Sequence, residues 1–151
     1  LRRSSAASDV YKRQIYTLLG DGELSEGSVW EACSTAHKYK LDNLVVIVDR
    51  NKLQITGKTE DVNPIEPLHE KFLSFGFNVK EIDGNNIAEL ISALEEVPFK
   101  TNIPNVIIAN TVKGSGVSFI ENQISWHHKV PSKEEFEKAN LELESQLKSY
   151  E

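Results

Sequence analysis

Leu19-Gly20-Asp21-Gly22-Glu23 sets a carboxylate directly behind an apolar run, and thirty positions after Asp21 the stretch Asp49-Arg50-Asn51-Lys52-Leu53 sets a carboxamide behind a second one. The first run, Ile15-Tyr16-Thr17-Leu18-Leu19, predicts a short buried strand. The second, Leu44-Val45-Val46-Ile47-Val48, is rich in β-branched residues and suits a central strand of a parallel sheet. The spacing is that of one strand-helix unit, so both polar residues fall at carboxyl ends of neighbouring strands, where open α/β sheets bind ligands. Asp21 and Asn51 offer two hard oxygens. Mg²⁺ takes few protein oxygens of this kind and leaves its other positions to water and phosphate, so a metal here would hold a phosphorylated ligand. Glycines at 20 and 22 allow a tight turn, and a helix opening at Ser25-Glu26 would turn its first N–H groups and positive dipole end toward an anion.

Strand and helix signals alternate along the rest of the chain. Val29, Ala32, Cys33 and Ala36 recur at helical spacing from Ser25 to about Tyr39, and Leu68, Phe72 and Phe75 mark an inward face from Pro67 to Phe75. Phe77 to Ile82 predicts a third strand. Ile87, Leu90, Ile91, Leu94 and Val97 form a helical stripe that Pro98 stops, and Val106-Ile107-Ile108-Ala109-Asn110 is a fourth buried strand. Lys113 to Trp126 is a long glycine-punctuated loop, the kind of segment in which function concentrates. Ser132 and Glu135 form a capping box ahead of a terminal helix, with Phe136, Asn140, Leu143, Leu147 and Tyr150 in an a/d-like pattern. The fold class expected is α/β, a mainly parallel sheet with flanking helices.

Composition narrows the function. At 151 residues, 39% hydrophobic and 26% charged, the chain is an ordinary single domain with a real core. A net charge of -6 argues against nucleic acid as a partner, since phosphate backbones call for clustered Lys and Arg. No apolar run has membrane-spanning length and nothing resembles a secretory signal. The single cysteine, Cys33, cannot form an internal disulfide, which suits a reducing cytoplasm. Gly57-Lys58-Thr59 imitates the end of a P-loop, but Lys52 stands where the earlier glycine is needed, and no strand is followed by G-x-G-x-x-G.

Gly20-Asp21-Gly22 with Asn51 resembles the thiamine diphosphate signature. The wider strings, Gly20 to Ala32, Tyr39 to Leu44 and Asp49 to Gly57, resemble transketolase, and Thr111 to Phe119 and Trp126-His127-His128-Lys129 extend the likeness from about Ile15 to the C-terminus. Within that family the chain is most similar to the N-terminal subunit of a split, two-chain enzyme. Lys113 points the same way, since it stands where many full-length transketolases have an aliphatic residue.

The resemblance implies a thiamine diphosphate-binding fold and a set of roles. Asp21, Asn51 and the carbonyl of Leu53 would hold Mg²⁺ (or Ca²⁺ or Mn²⁺); Gly20, Asp21, Gly22, Glu23, Asn51, Leu53, Ile55 and Lys113 would bind the cofactor, with Ile55 against its rings and Gly22 admitting the diphosphate. His127 would contact cofactor and substrate hydroxyl, and Glu26 would join a carboxylate relay between two cofactors. Each has a plainer reading: Asp21 as a helix cap, Asn51 as a turn residue, Glu26 as a favourable first-turn charge, His127 as a loop histidine. His37 and His69 read as structural, and His128 stands where glycine is common. The activity implied is transfer of two-carbon ketol units between sugar phosphates. It would need a C-terminal partner chain carrying the pyrimidine-binding module, as a heterotetramer or a dimer of such pairs.

Other readings stay open. One is a component of a different thiamine diphosphate enzyme, a 2-oxo-acid dehydrogenase decarboxylating component or a deoxyxylulose-phosphate synthase. Another is a cofactor-binding assembly protein without catalysis, and a third is a damaged reading frame. Residues 1–14 read as a non-native or disordered leader, because Asp9-Val10-Tyr11-Lys12-Arg13-Gln14 resembles a translated transposon-end adapter. Residues 15–151 would then be the domain, with native sequence expected upstream.

Overall fold

Alternation along the strands splits the core into two layers on either side of one sheet. In a computed structural model, which describes residues 13–148, the order is β1 (Ile15–Gly20), α1 (Gly27–Lys38), β2 (Leu44–Arg50), β3 (Leu53–Gln54), β4 (Gly57–Lys58), α2 (Thr59–Val62), α3 (Leu68–Ser74), β5 (Asn78–Asp83), α4 (Ile87–Glu95), β6 (Asn105–Asn110) and α5 (Lys133–Leu147). Most of the leader, and Tyr150, lie outside the described residues. The main sheet runs β1-β2-β6-β5 with every pairing parallel, as expected for an α/β domain.

Val46, Val48, Val106 and Ile108 point to one side, where Cys33 and Ala36 of α1 and Leu68 and Phe72 of α3 meet them. The Trp30 ring lies 5.2 Å from those of both Phe72 and Phe75, and its indole donates to the Leu24 carbonyl. On the other side Val45, Ile107, Ile82 and Ala109 pack under Ala93, Leu90 and Leu94 of α4. Asn105 is wholly buried but satisfied: its amide donates to the Asp42 carbonyl and its oxygen accepts from the Phe99 N–H.

The structure departs from the sequence reading in several places. β1 is an edge strand rather than a buried one, with Tyr16 and Leu18 51% and 69% exposed, because no described element pairs with its outer side or covers that face. The first helix starts at Gly27, not Ser25; Gly22–Ser25 form a 3-10 turn and Glu26 is extended, which breaks the helical path between them. On α4 only part of the stripe packs: Leu90, Ala93 and Leu94 meet the core, and Ile87 and Ile91 stay exposed. On α5 the capping box forms, but Phe136, Leu143 and Leu147 are exposed, and the side turned to the protein carries Glu142 on Ser118 and Gln146 on the Gly116 carbonyl. The β3–β4 hairpin is too short to show periodicity in the sequence. Among the described residues no helix is long and apolar enough to cross a membrane.

Candidate cofactor site

The parallel register carries β1 and β2 to a common end: Gly20 lies beside Asp49, and the Asp21 N–H donates to the Asp49 carbonyl at 3.1 Å. The chain then turns away at both places. Asp21 caps the 3-10 turn, accepting from the Gly22 N–H at 2.8 Å, and its second oxygen accepts from the Lys52 N–H. Lys52 can aim that N–H because its backbone is left-handed, with φ +63. Asn51 closes an Asx turn, its oxygen accepting from the Leu53 N–H at 3.0 Å. Behind them the Thr111 hydroxyl donates to Asp49, and Arg50 bridges Glu66 and Asn110. Thr111 and Glu66 thus brace the strand that leads to Asn51, a role for which neither carries any signal in the sequence.

One cavity of about 630 Å³ opens at these strand ends. Gly20, Asp21, Gly22, Glu23, Asn51, Leu53, Ile55, Lys113 and His127 all line it, joined by Asp49, Gln54, Thr56 and Val62. Glu26 does not line it; it is exposed at the start of α1, with no capping bond from its side chain. The first turn of α1 is absent from the wall too, so the expected helix-end anion site is replaced by the 3-10 turn. His37 and His69 lie elsewhere, His37 against the Gly76 carbonyl and His69 against Glu81.

The electrostatics of the cavity follow from burial. Asp21 is 1% exposed, and desolvation lifts its carboxyl above the usual range despite the two N–H donors, with the charge of Asp49 adding to the rise. A divalent cation at Asp21 would reverse that penalty. Loss of solvent, together with the charges of Lys113 and His128, holds the His127 imidazole below its ordinary value and therefore neutral at pH 7.

The residues fit a metal-bound diphosphate on three counts. A Cβ built on Gly20 would meet nothing within 4 Å, so the turn faces open space. Among the described residues nothing hydrogen-bonds to the buried His127 Nδ1. The donor set is hard oxygen: among the described residues no three His, Cys, Asp or Glu side chains gather, leaving Asp21 and Asn51 to share a cation with water and ligand.

Residues 3–147 match the family described as "Transketolase, thiamine diphosphate binding domain". This chain belongs to the transketolase family. One of the subunits of an apulose-4-phosphate transketolase from Actinobacillus succinogenes is 51% identical over 135 residues, covering 89% of this chain and 49% of the relative. A 6-deoxy-6-sulfo-D-fructose transketolase subunit from a Clostridium species is 42% identical over 132 residues, covering 87% and 48%. The crystal structure of the Campylobacter jejuni transketolase superposes with a TM-score of 0.83 at 35% identity, covering 91% of this chain and 21% of that one. The chain thus spans about half the length of the curated subunits it matches. The parallel sheet with flanking helices is the thiamine diphosphate-binding fold of transketolases.

Proposed function

We propose that this chain is the diphosphate- and Mg²⁺-binding half of a transketolase that moves two-carbon ketol units between sugar phosphates together with a second polypeptide. The observation that carries the reading is the convergence of Gly20, Asp21, Gly22, Asn51, Leu53, Ile55, Lys113 and His127 on one cavity from four separate stretches of chain. Asp21, Asn51 and the Leu53 carbonyl are the proposed ligands of Mg²⁺, with Ca²⁺ or Mn²⁺ as substitutes. Bound thiamine diphosphate would supply the carbanion chemistry.

The chain's own residues bind and orient. Asp21 is fixed by the Gly22 and Lys52 N–H groups, and Asn51 by the Leu53 N–H, so neither ligand has to be ordered on binding. Ile55, 60% exposed beside the cavity, offers an apolar wall. Neutral His127 can hold a substrate hydroxyl and exchange its proton. Glu26, outside the cavity and exposed, is proposed to work across a contact between chains rather than on the metal. The partner chain would carry the pyrimidine-binding module, in a heterotetramer or dimer of pairs. The relatives named as transketolase subunits support a divided enzyme. We assign residues 15–151 as the functional domain and the cytoplasm as its setting.

Titration calorimetry tests the reading: the chain binds thiamine diphosphate with Mg²⁺ present, and loses that binding in chelator and in Asp21→Ala. Equal affinity with Mg²⁺ and with chelator would refute it.

A further inference from the structure

Five backbone N–H groups at the glycine turn and beside Asn51 are already committed. The N–H groups of Gly20, Asp21, Gly22, Lys52 and Leu53 are committed to Glu23, Asp49, Asp21, Asp21 and Asn51 in turn. A diphosphate seated over this turn needs donors for its outer oxygens from elsewhere, and a side chain lying over the turn is placed to give one. Gln54, the second residue of β3, lines the same wall, and its side chain lies directly over the glycine turn: Oε1 and Cβ are 2.9 and 3.0 Å from where a Cβ on Gly22 would stand. Its carboxamide has no hydrogen-bond partner among the described residues, so no hydrogen bond fixes its amide orientation.

We propose that Gln54 is a further cofactor-binding residue, whose carboxamide N–H₂ donates to the diphosphate group seated over the Gly20-Asp21-Gly22 turn. The inference rests on the reading of the cavity given above and adds a residue to it. Gln54 is suited to the task because it is neutral. The wall already carries Asp21, Glu23 and Asp49, and a donor without charge binds an anion there without competing with the metal for those carboxylates. Lys52, whose N–H fixes Asp21, lies two residues before Gln54, which ties the contact to the loop that presents Asn51.

The test is calorimetry of the full chain with thiamine diphosphate and Mg²⁺, comparing wild type, Gln54→Ala, Gln54→Met, Gln54→Glu and Asp21→Ala, with thermal unfolding as a check on the fold. Gln54→Ala is expected to weaken binding by about three- to thirtyfold, the scale of one hydrogen bond to a charged group. Gln54→Glu keeps the size and shape but replaces the donor by a carboxylate, so it should bind at least as weakly as Gln54→Ala. Gln54→Met keeps the bulk without a donor and should bind about as weakly as Gln54→Ala, whereas a residue that merely fills space against Gly22 leaves Gln54→Met close to wild type and Gln54→Ala impaired. That order, or wild-type affinity in Gln54→Ala, overturns the proposal. Asp21→Ala separates the two levels of inference. If it binds as tightly as wild type, or if wild type does not bind at all, the reading of the cavity itself falls and the role of Gln54 with it.

Discussion

The two glycines of the signature turn should respond to the same mutation in opposite ways. Neither has a left-handed backbone, so the effect of Gly→Ala depends on what the new methyl meets. At Gly20 it meets nothing within 4 Å and projects beside the cavity. The apo chain should therefore keep its stability or gain up to about 1 kcal/mol, because alanine restricts the unfolded chain. At Gly22 the methyl would come within 3.0 Å of the Gln54 Cβ, an atom fixed to the backbone of β3, and the hairpin must shift. Overpacking of this kind costs about 1–3 kcal/mol. Binding should reverse the ranking in part: Gly20→Ala fills space assigned to the cofactor, and a misfit of similar size, about 1.4 kcal/mol or more, lowers affinity at least tenfold. Urea denaturation of the chain without ligand and calorimetry with thiamine diphosphate and Mg²⁺ give the two numbers for each variant. Wild-type cofactor affinity in a stable Gly20→Ala chain would mean that the open space at Gly20 is not where the diphosphate sits.

Three further outcomes are expected. In the enzyme assembled with its partner chain, His127→Ala should lower kcat/KM by roughly ten- to a thousandfold with little change in cofactor affinity, while His128→Ala, at an exposed position, is mild; the reverse result in steady-state assays would transfer the role to His128. The chain alone should show no ketol transfer, with activity appearing once the partner chain is added, and turnover by the purified single chain would rule out the divided enzyme. The Glu66 carboxyl is raised by burial, but the Leu68 N–H and the Arg50 guanidinium outweigh this and hold it below the ordinary 4.5. Its contribution to stability is therefore complete above about pH 4.5 and is lost as pH falls through the folded value. Glu66→Gln should flatten that acid loss and weaken the fold by about 1 kcal/mol at pH 7, a modest figure because the pair is partly solvated; an unchanged acid profile in chemical denaturation would show that Glu66 is not its source.

Residue type made β2 and β6 legible, since Leu44–Val48 and Val106–Ala109 are continuous apolar runs that only a strand covered on both faces can bury. The same composition misled at β1. Ile15, Tyr16 and Leu18 look like core, and only the sheet order shows that they flank an edge. Asp21 and Asn51 were legible from their places after strands, and the remaining lining residues from family likeness rather than from periodicity. Gln54 was not. A polar residue in a two-residue strand leaves no pattern, and its neighbour across space, Gly22, is far away in sequence. Glu26 sits apart from the cavity because an extended backbone at that residue separates the 3-10 turn from α1, a break that helix propensity does not register.

The strand order has a consequence for how the chain assembles. Among the described strands β6 comes last in the sequence, yet it lies between β2 and β5, and Asn105 aligns with Val45 on one side and Asn78 on the other. Among the described strands β5 therefore has none to pair with until residues 105–110 have left the ribosome, and until then β1 with β2 and β5 with α4 stay separate pieces. Such long-range parallel pairing is slow to form. Synthesis arrested before Asn105 would leave one strand pair and one lone strand of the main sheet, and the arrival of one six-residue strand joins them.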